Sequence, residues 1–152
     1  MNALSNQAKG TFSSPNTART LDILGIKVEH HLGTEDTRGA ISLFRVEAPP
    51  GAGIPLHTHE HEDETFVIEE GQLELTLGKT SRIAGAGETA FLPRAVPHAW
   101  AVHGTQRARV ILIVTPGGLE RYFEELATKP GESPPPPEEV VAISRRHGIE
   151  VN

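Results

Sequence analysis

Two histidines and a glutamate stand close together in the segment Gly51–Gly71, GAGIPLHTHEHEDETFVIEEG. Residues two apart on a β-strand point to the same face, so His57 and His59 project together if Ile54–His59 is extended. Glu60, His61, Glu62 and Asp63 are polar and read as a loop tip, after which Glu64, Phe66 and Ile68 alternate with Thr65, Val67 and Glu69. A four-residue hairpin loop would set His59 opposite Glu64, with facing side chains starting about 5 Å apart. Two imidazoles and a carboxylate converging in this way suit a transition-metal ion, whose bonds to such ligands run about 2.0–2.2 Å. A fourth ligand is expected from His98, which follows a strand and a proline-bounded turn (Gly87–Pro97) and opens another strand. His61 and Glu62 are the substitutes if the hairpin register shifts. His103 has the opposite parity to His98, and His30, His31 and His147 are expected at the surface. The acidic run around Glu60, Glu62, Asp63, Glu69 and Glu70 reads as a solvated edge.

The elements that must position these residues are mostly short strands punctuated by Gly and Pro. Leu21–Val28 reads as a strand pair broken near Gly25, followed by a turn from Gly33 to Gly39. Ile41–Ala48 is a strand ended by Pro49-Pro50-Gly51, and Gln72–Leu77 alternates strictly, as a half-buried strand does. Short strands follow at Ser81–Ala84 and Glu88–Leu92, and then from His98 to Val102. Arg107–Val114 is apolar on both faces in its second half, so a cover is expected outside it. The next segment is the expected cover: a helix after Thr115-Pro116-Gly117-Gly118, with Leu119, Tyr122, Phe123 and Leu126 on one stripe. Ser133–Pro137 is a stiff extended spacer, and Glu138–His147 is a short helix stopped at Gly148. The division predicted is an arm over 1–18, a barrel with its covering helix over 19–128, and a Pro-rich linker with a helix over 129–152. Many strands with helices only at the end argue for an all-β sandwich or barrel.

The chain resembles the cupin superfamily at this point. The first cupin motif, G-x5-H-x-H-x4-E-x6-G, is matched at every fixed position by Gly51, His57, His59, Glu64 and Gly71. The second, G-x5-P-x-G-x2-H-x3-N, is matched by Gly87, Pro93 and His98, with Ala95 in place of its Gly and Val102 in place of its Asn. The resemblance implies a jelly-roll β-barrel with short C-terminal helices. It also implies one divalent transition metal (Fe, Mn, Ni, Co, Cu or Zn) held by His57, His59, Glu64 and His98 inside the barrel near one mouth. Phe66 and Trp100 share the parity of the ligands and are candidates to line the substrate pocket, with Phe44 and Val46 on the opposite wall. Ile68 reads as ordinary core.

Composition narrows the partners. The chain has 152 residues, a net charge of −6 and no long basic run, which argues against nucleic acid. There are no cysteines, so disulfides and thiolate metal sites are excluded. The N-terminus has no apolar core of signal-peptide length and no run suits a bilayer, so a cytoplasmic protein without membrane contact is expected. A homodimer is expected from the way cupins pair through their sheets and N-terminal arms.

Three imidazoles and a carboxylate leave coordination positions open, as a catalytic site requires. Stretches from Glu64 to Gly71 and from Thr115 to Phe123 resemble small single-domain cupins similar to quercetin 2,3-dioxygenase. That implies a metal-dependent dioxygenase acting on a flavonol-like or other enolisable small molecule, with Glu64 doubling as the catalytic proton acceptor. A non-oxidative isomerase or lyase, marked by oxygen independence, and a binding module without turnover are the alternatives.

Overall fold

The computed structural model describes residues 9–152. The chain forms β1 (Arg19–Ile23), β2 (Ile26–Leu32), a single helical turn α1 (Thr34–Thr37), β3 (Ser42–Ala48), β4 (Gly53–His59), β5 (Asp63–Glu70) and β6 (Gln72–Leu77). It continues through β7 (Thr80–Gly85), β8 (Thr89–Leu92), β9 (His98–His103), β10 (Ala108–Thr115), α2 (Glu120–Leu126), α3 (Pro137–Arg146) and β11 (Ile149–Val151). The strands make two antiparallel sheets. One runs β1-β2-β3-β10-β5-β8 and the other β11-β4-β9-β6-β7. This is an all-β jelly roll, and its interior is filled by the period-2 pattern of its strands.

β3 buries Ser42, Phe44, Val46 and Ala48, and β10 buries Ala108, Val110, Leu112 and Val114. Their register sets Leu112 between Phe44 and Phe66, and Val110 between Val46 and Ile68, so inward side chains stack in layers across the sheet. Leu73 and Leu75 of β6 face them from the other sheet. Gly71, which ends the first motif, has φ +77°, and a Cβ there would collide with the Arg107 carbonyl. Only glycine lets β5 turn into β6 so close to the start of β10.

The structure departs from the sequence reading in five places. First, β4 and β5 do not pair as a hairpin: β4 lies between β11 and β9, and β5 between β10 and β8. The chain changes sheet at Glu60–Glu62, because the inward faces of both strands are buried only if the strands close opposite walls of the barrel. Second, the segment after Gly33 winds into α1. Third, α2 does not cover the outer face of β10. Its apolar stripe of Leu119, Tyr122, Phe123 and Leu126 turns inward over the barrel mouth, where it buries more apolar surface. Fourth, the His31 side chain is buried, bonded to Ser13 and Glu29, and His30 stacks on Phe44 at 5.2 Å. Fifth, the tail does not end in a linker and a helix. After Gly148 the chain adds β11 to the edge of β4, with Ile149 beside His59 and Val151 beside His57. Of the arm predicted over 1–18, residues 1–8 lie outside the described residues.

Candidate metal centre

β4, β5 and β9 each deliver ligands at a strand end. His57 and His59 occupy alternate positions of β4, Glu64 is the first inward residue of β5, and His98 opens β9 directly across from His57. All four are buried, and one ligand atom from each lies within 4.8 Å of the others. The His59 and His98 rings are stacked at 5.5 Å, and the His57 ring meets His98 edge-on at 4.3 Å. The Glu64 Oε2 is 2.9 Å from His98 Nε2 and 3.5 Å from His59 Nε2.

The protein fixes the tautomer of each imidazole. His57 Nδ1–H donates to the Pro55 carbonyl (2.9 Å), and His98 Nδ1–H donates to the Val96 carbonyl (3.1 Å). His59 Nδ1–H donates to the Glu62 carboxylate (3.1 Å). A carbonyl or carboxylate oxygen only accepts, so the proton must sit on Nδ1 in all three, and the Nε2 lone pairs turn inward. The Pro55 carbonyl reaches back because the β4–β9 register breaks between Ile54 and His57, a position where a residue without an N–H fits. Glu62, weighed from the sequence as a substitute ligand, is therefore an outer partner that orients His59.

This donor set fits a cation. With Nδ1–H committed to Val96, the 2.9 Å approach of His98 Nε2 to Glu64 requires a positive charge between them, either a proton or a metal ion. Electrostatics point the same way. Burial, with His98 adding to it, holds the His57 pKa down at about 4, so the ring is neutral and able to ligate. Burial opposes ionisation of Glu64, but the His98 hydrogen bond and the three neighbouring imidazoles outweigh it and lower its pKa. Burial also opposes protonation of His59, yet the Glu62 hydrogen bond and the Glu64 charge raise its pKa overall.

The cluster opens onto a cavity of about 360 Å³. Of the residues expected to line a pocket, Val46, Phe66 and Trp100 border this cavity, with Phe66 and Trp100 edge-to-face at 6.1 Å. Phe44 does not border it. Its fully buried ring is held between His30 and Phe123, one layer behind the wall. Ile68 is core, His61 is exposed and His103 faces outward. Two polar lining residues escaped the sequence reading: Tyr122 of α2 and Ser144 of α3. The available signal was chemical, since the chain's only tyrosine on an otherwise apolar stripe needs a partner for its hydroxyl.

The second-motif departures are absorbed locally. Ala95 adopts φ +63°, the left-handed region that glycine prefers, and its N–H donates to the His59 carbonyl at 2.8 Å. Val102 is buried in the core, its N–H bonded to the Ala52 carbonyl.

Comparison with known proteins agrees with this geometry. The family described as "Cupin domain" matches residues 44–114, the stretch that contains all four clustered ligands. Together with the fold, this supports the cupin superfamily for the chain. Oxalate oxidase GF-3.8 of Triticum aestivum is 30% identical over 145 residues, covering 90% of this chain. The chain spans 62% of that relative's length. Among solved structures, KdgF from Halomonas sp. superposes with a TM-score of 0.66 at 20% identity, covering 74% of this chain and 99% of that one. A predicted oxalate decarboxylase from Thermotoga maritima gives 0.60 at 21% identity, covering 70% and 99%. No helix among the described residues is long and apolar enough to cross a membrane.

Proposed function

We propose that this protein is a metal-dependent dioxygenase of the quercetinase-like type, acting on an enolisable, flavonol-like small molecule inside the barrel. The observation that carries the reading is a buried group of three histidines and one glutamate, their Nε2 lone pairs turned inward, at the edge of an otherwise apolar cavity. His57, His59, Glu64 and His98 would hold one divalent metal, which would supply an electrophilic centre that acidifies a bound enol and gives access to O2. Glu64 is the residue to receive the enol proton, at Oε2, because its surroundings keep it ionised and it borders the cavity. Similarity to an oxalate oxidase supports oxidative use of the site.

The test is elemental analysis of the untagged protein beside His57→Ala and Glu64→Ala, followed by oxygen uptake with 3-hydroxyflavone. We expect about one transition-metal ion per chain, lost in both folded variants, and oxygen consumption only by the wild type. Stoichiometric metal without oxygen consumption on any enol tried would move the reading to a non-oxidative isomerase or lyase. Failure to retain metal even after reconstitution would leave a binding module.

A further inference from the structure

We propose that Tyr122 and Ser144 form a pair that selects largely apolar ligands presenting a hydroxyl group. This rests on the reading of the cavity beside the metal cluster as the substrate site.

The argument turns on where two hydrogens point. Ser144 Oγ lies 2.7 Å from the Val140 carbonyl, an acceptor only, so the single serine hydrogen is committed there. Ser144 Oγ is also 2.9 Å from the Tyr122 hydroxyl oxygen, so that contact requires Tyr122 to donate and Ser144 to accept. Ser144 is fully buried and has no other side-chain rotor to reverse this order. The Tyr122 oxygen therefore has lone pairs to offer and no hydrogen. Burial raises the Tyr122 pKa, which keeps the phenol protonated and the order intact at neutral pH.

Both residues border the cavity. Its other polar side chains are His57, His59 and Glu64 of the cluster and the Trp100 indole. The remaining wall is aliphatic, aromatic or proline, with no cation among the described residues. A neutral ligand with a hydroxyl finds a matched acceptor in Tyr122. The pair bridges α2 and α3, so the specificity element lies in the segment that closes the barrel mouth rather than on the barrel strands.

The test is calorimetric titration of the full chain, as purified and after chelation, with naphthalene and 2-naphthol, which share one body and differ by the hydroxyl. In the chelated wild type we expect 2-naphthol to bind roughly fivefold tighter than naphthalene. Tyr122→Phe should reduce 2-naphthol to the affinity of naphthalene and leave naphthalene unchanged. Ser144→Ala should free the Tyr122 hydrogen to point inward, improving 2-methoxynaphthalene, an acceptor only, by roughly fivefold. That reversal is a result which loss of packing does not produce, and it carries the test if Tyr122→Phe fails to fold. An unchanged ratio of 2-naphthol to naphthalene in Tyr122→Phe, no reversal in Ser144→Ala, or no binding by either ligand overturns the proposal. These ratios are read without metal, so their success beside a metal-free purified protein would sink the dioxygenase reading alone.

Discussion

The imidazoles of the cluster are held by two kinds of acceptor: His57 and His98 by backbone carbonyls and His59 by the Glu62 side chain. Only the last can be removed by a conservative substitution. Glu62→Gln keeps an acceptor oxygen but loses its charge, so His59 becomes a weaker and less firmly oriented ligand. We expect metal affinity to fall roughly 10- to 100-fold with the fold intact, measured by competition with a chromogenic chelator. Unchanged affinity would mean that Glu62 does not support the site. At the neighbouring turn, Ala95 carries a Cβ in left-handed backbone. Ala95→Gly should raise unfolding stability by about 0.5–1 kcal/mol, the relief of that strain being partly offset by the freer unfolded chain. Denaturant titration measures it, and a loss of stability would show that the Ala95 methyl contributes packing that outweighs the strain.

At the scale of elements, α2 is too short to be stable alone. Glu120, which the sequence places between the apolar residues of the stripe, is in fact the buried anchor of this helix. Its carboxylate accepts from the Thr34 N–H at 2.7 Å, the Ser42 hydroxyl at 2.5 Å and the Gly118 N–H at 3.1 Å. The anchor ties α1, β3 and α2 together and so sets where Tyr122 sits over the cavity. Burial opposes ionisation, but these hydrogen bonds win and hold the Glu120 pKa at about 2, below its ordinary 4.5. A carboxylate with a lowered folded-state pKa contributes stability that is present above about 4.5 and lost as pH falls towards 2. Glu120→Gln should therefore cost about 1–3 kcal/mol at neutral pH. The gap between wild type and variant should close between about pH 4.5 and 2. A gap that stays constant with pH would assign the loss to shape rather than to charge.

For the whole molecule, the outer face of the six-stranded sheet carries a patch that none of the described residues covers. Leu43, Ile111, Ile113 and Val67 are half-buried there, and Phe91 beside them is exposed. α2 lies over the barrel mouth instead, so a second copy is the cover we propose, giving a homodimer paired through this sheet. Light scattering at micromolar protein should return twice the 16.4 kDa chain mass. A monomer mass would refute the dimer and leave the patch without a partner.

The sequence by itself picked out the four residues that cluster and most of the strands, because both rest on local rules. The two-residue step from His57 to His59 fixes a shared face, and alternation in Gln72–Leu77 separates inside from outside. It also marked Gly71 and the turn before His98, where backbone conformation limits residue choice. It did not say which strands pair. His59 and Glu64 meet from different sheets, while the ladder partner of His57 is His98, far along the chain. β11 was illegible for a related reason: Ile149–Val151 is too short to show a period, and its pairing with β4 depends on where α3 leaves the chain. Tyr122 and Ser144 belong to two helices whose stripes read as plain packing, and only the closure of both over one cavity turns them into a polar pair. Periodicity is a property of neighbours in sequence, whereas sheet assignment and cavity closure are set by burial summed over the whole chain, so the tertiary structure alone could decide them.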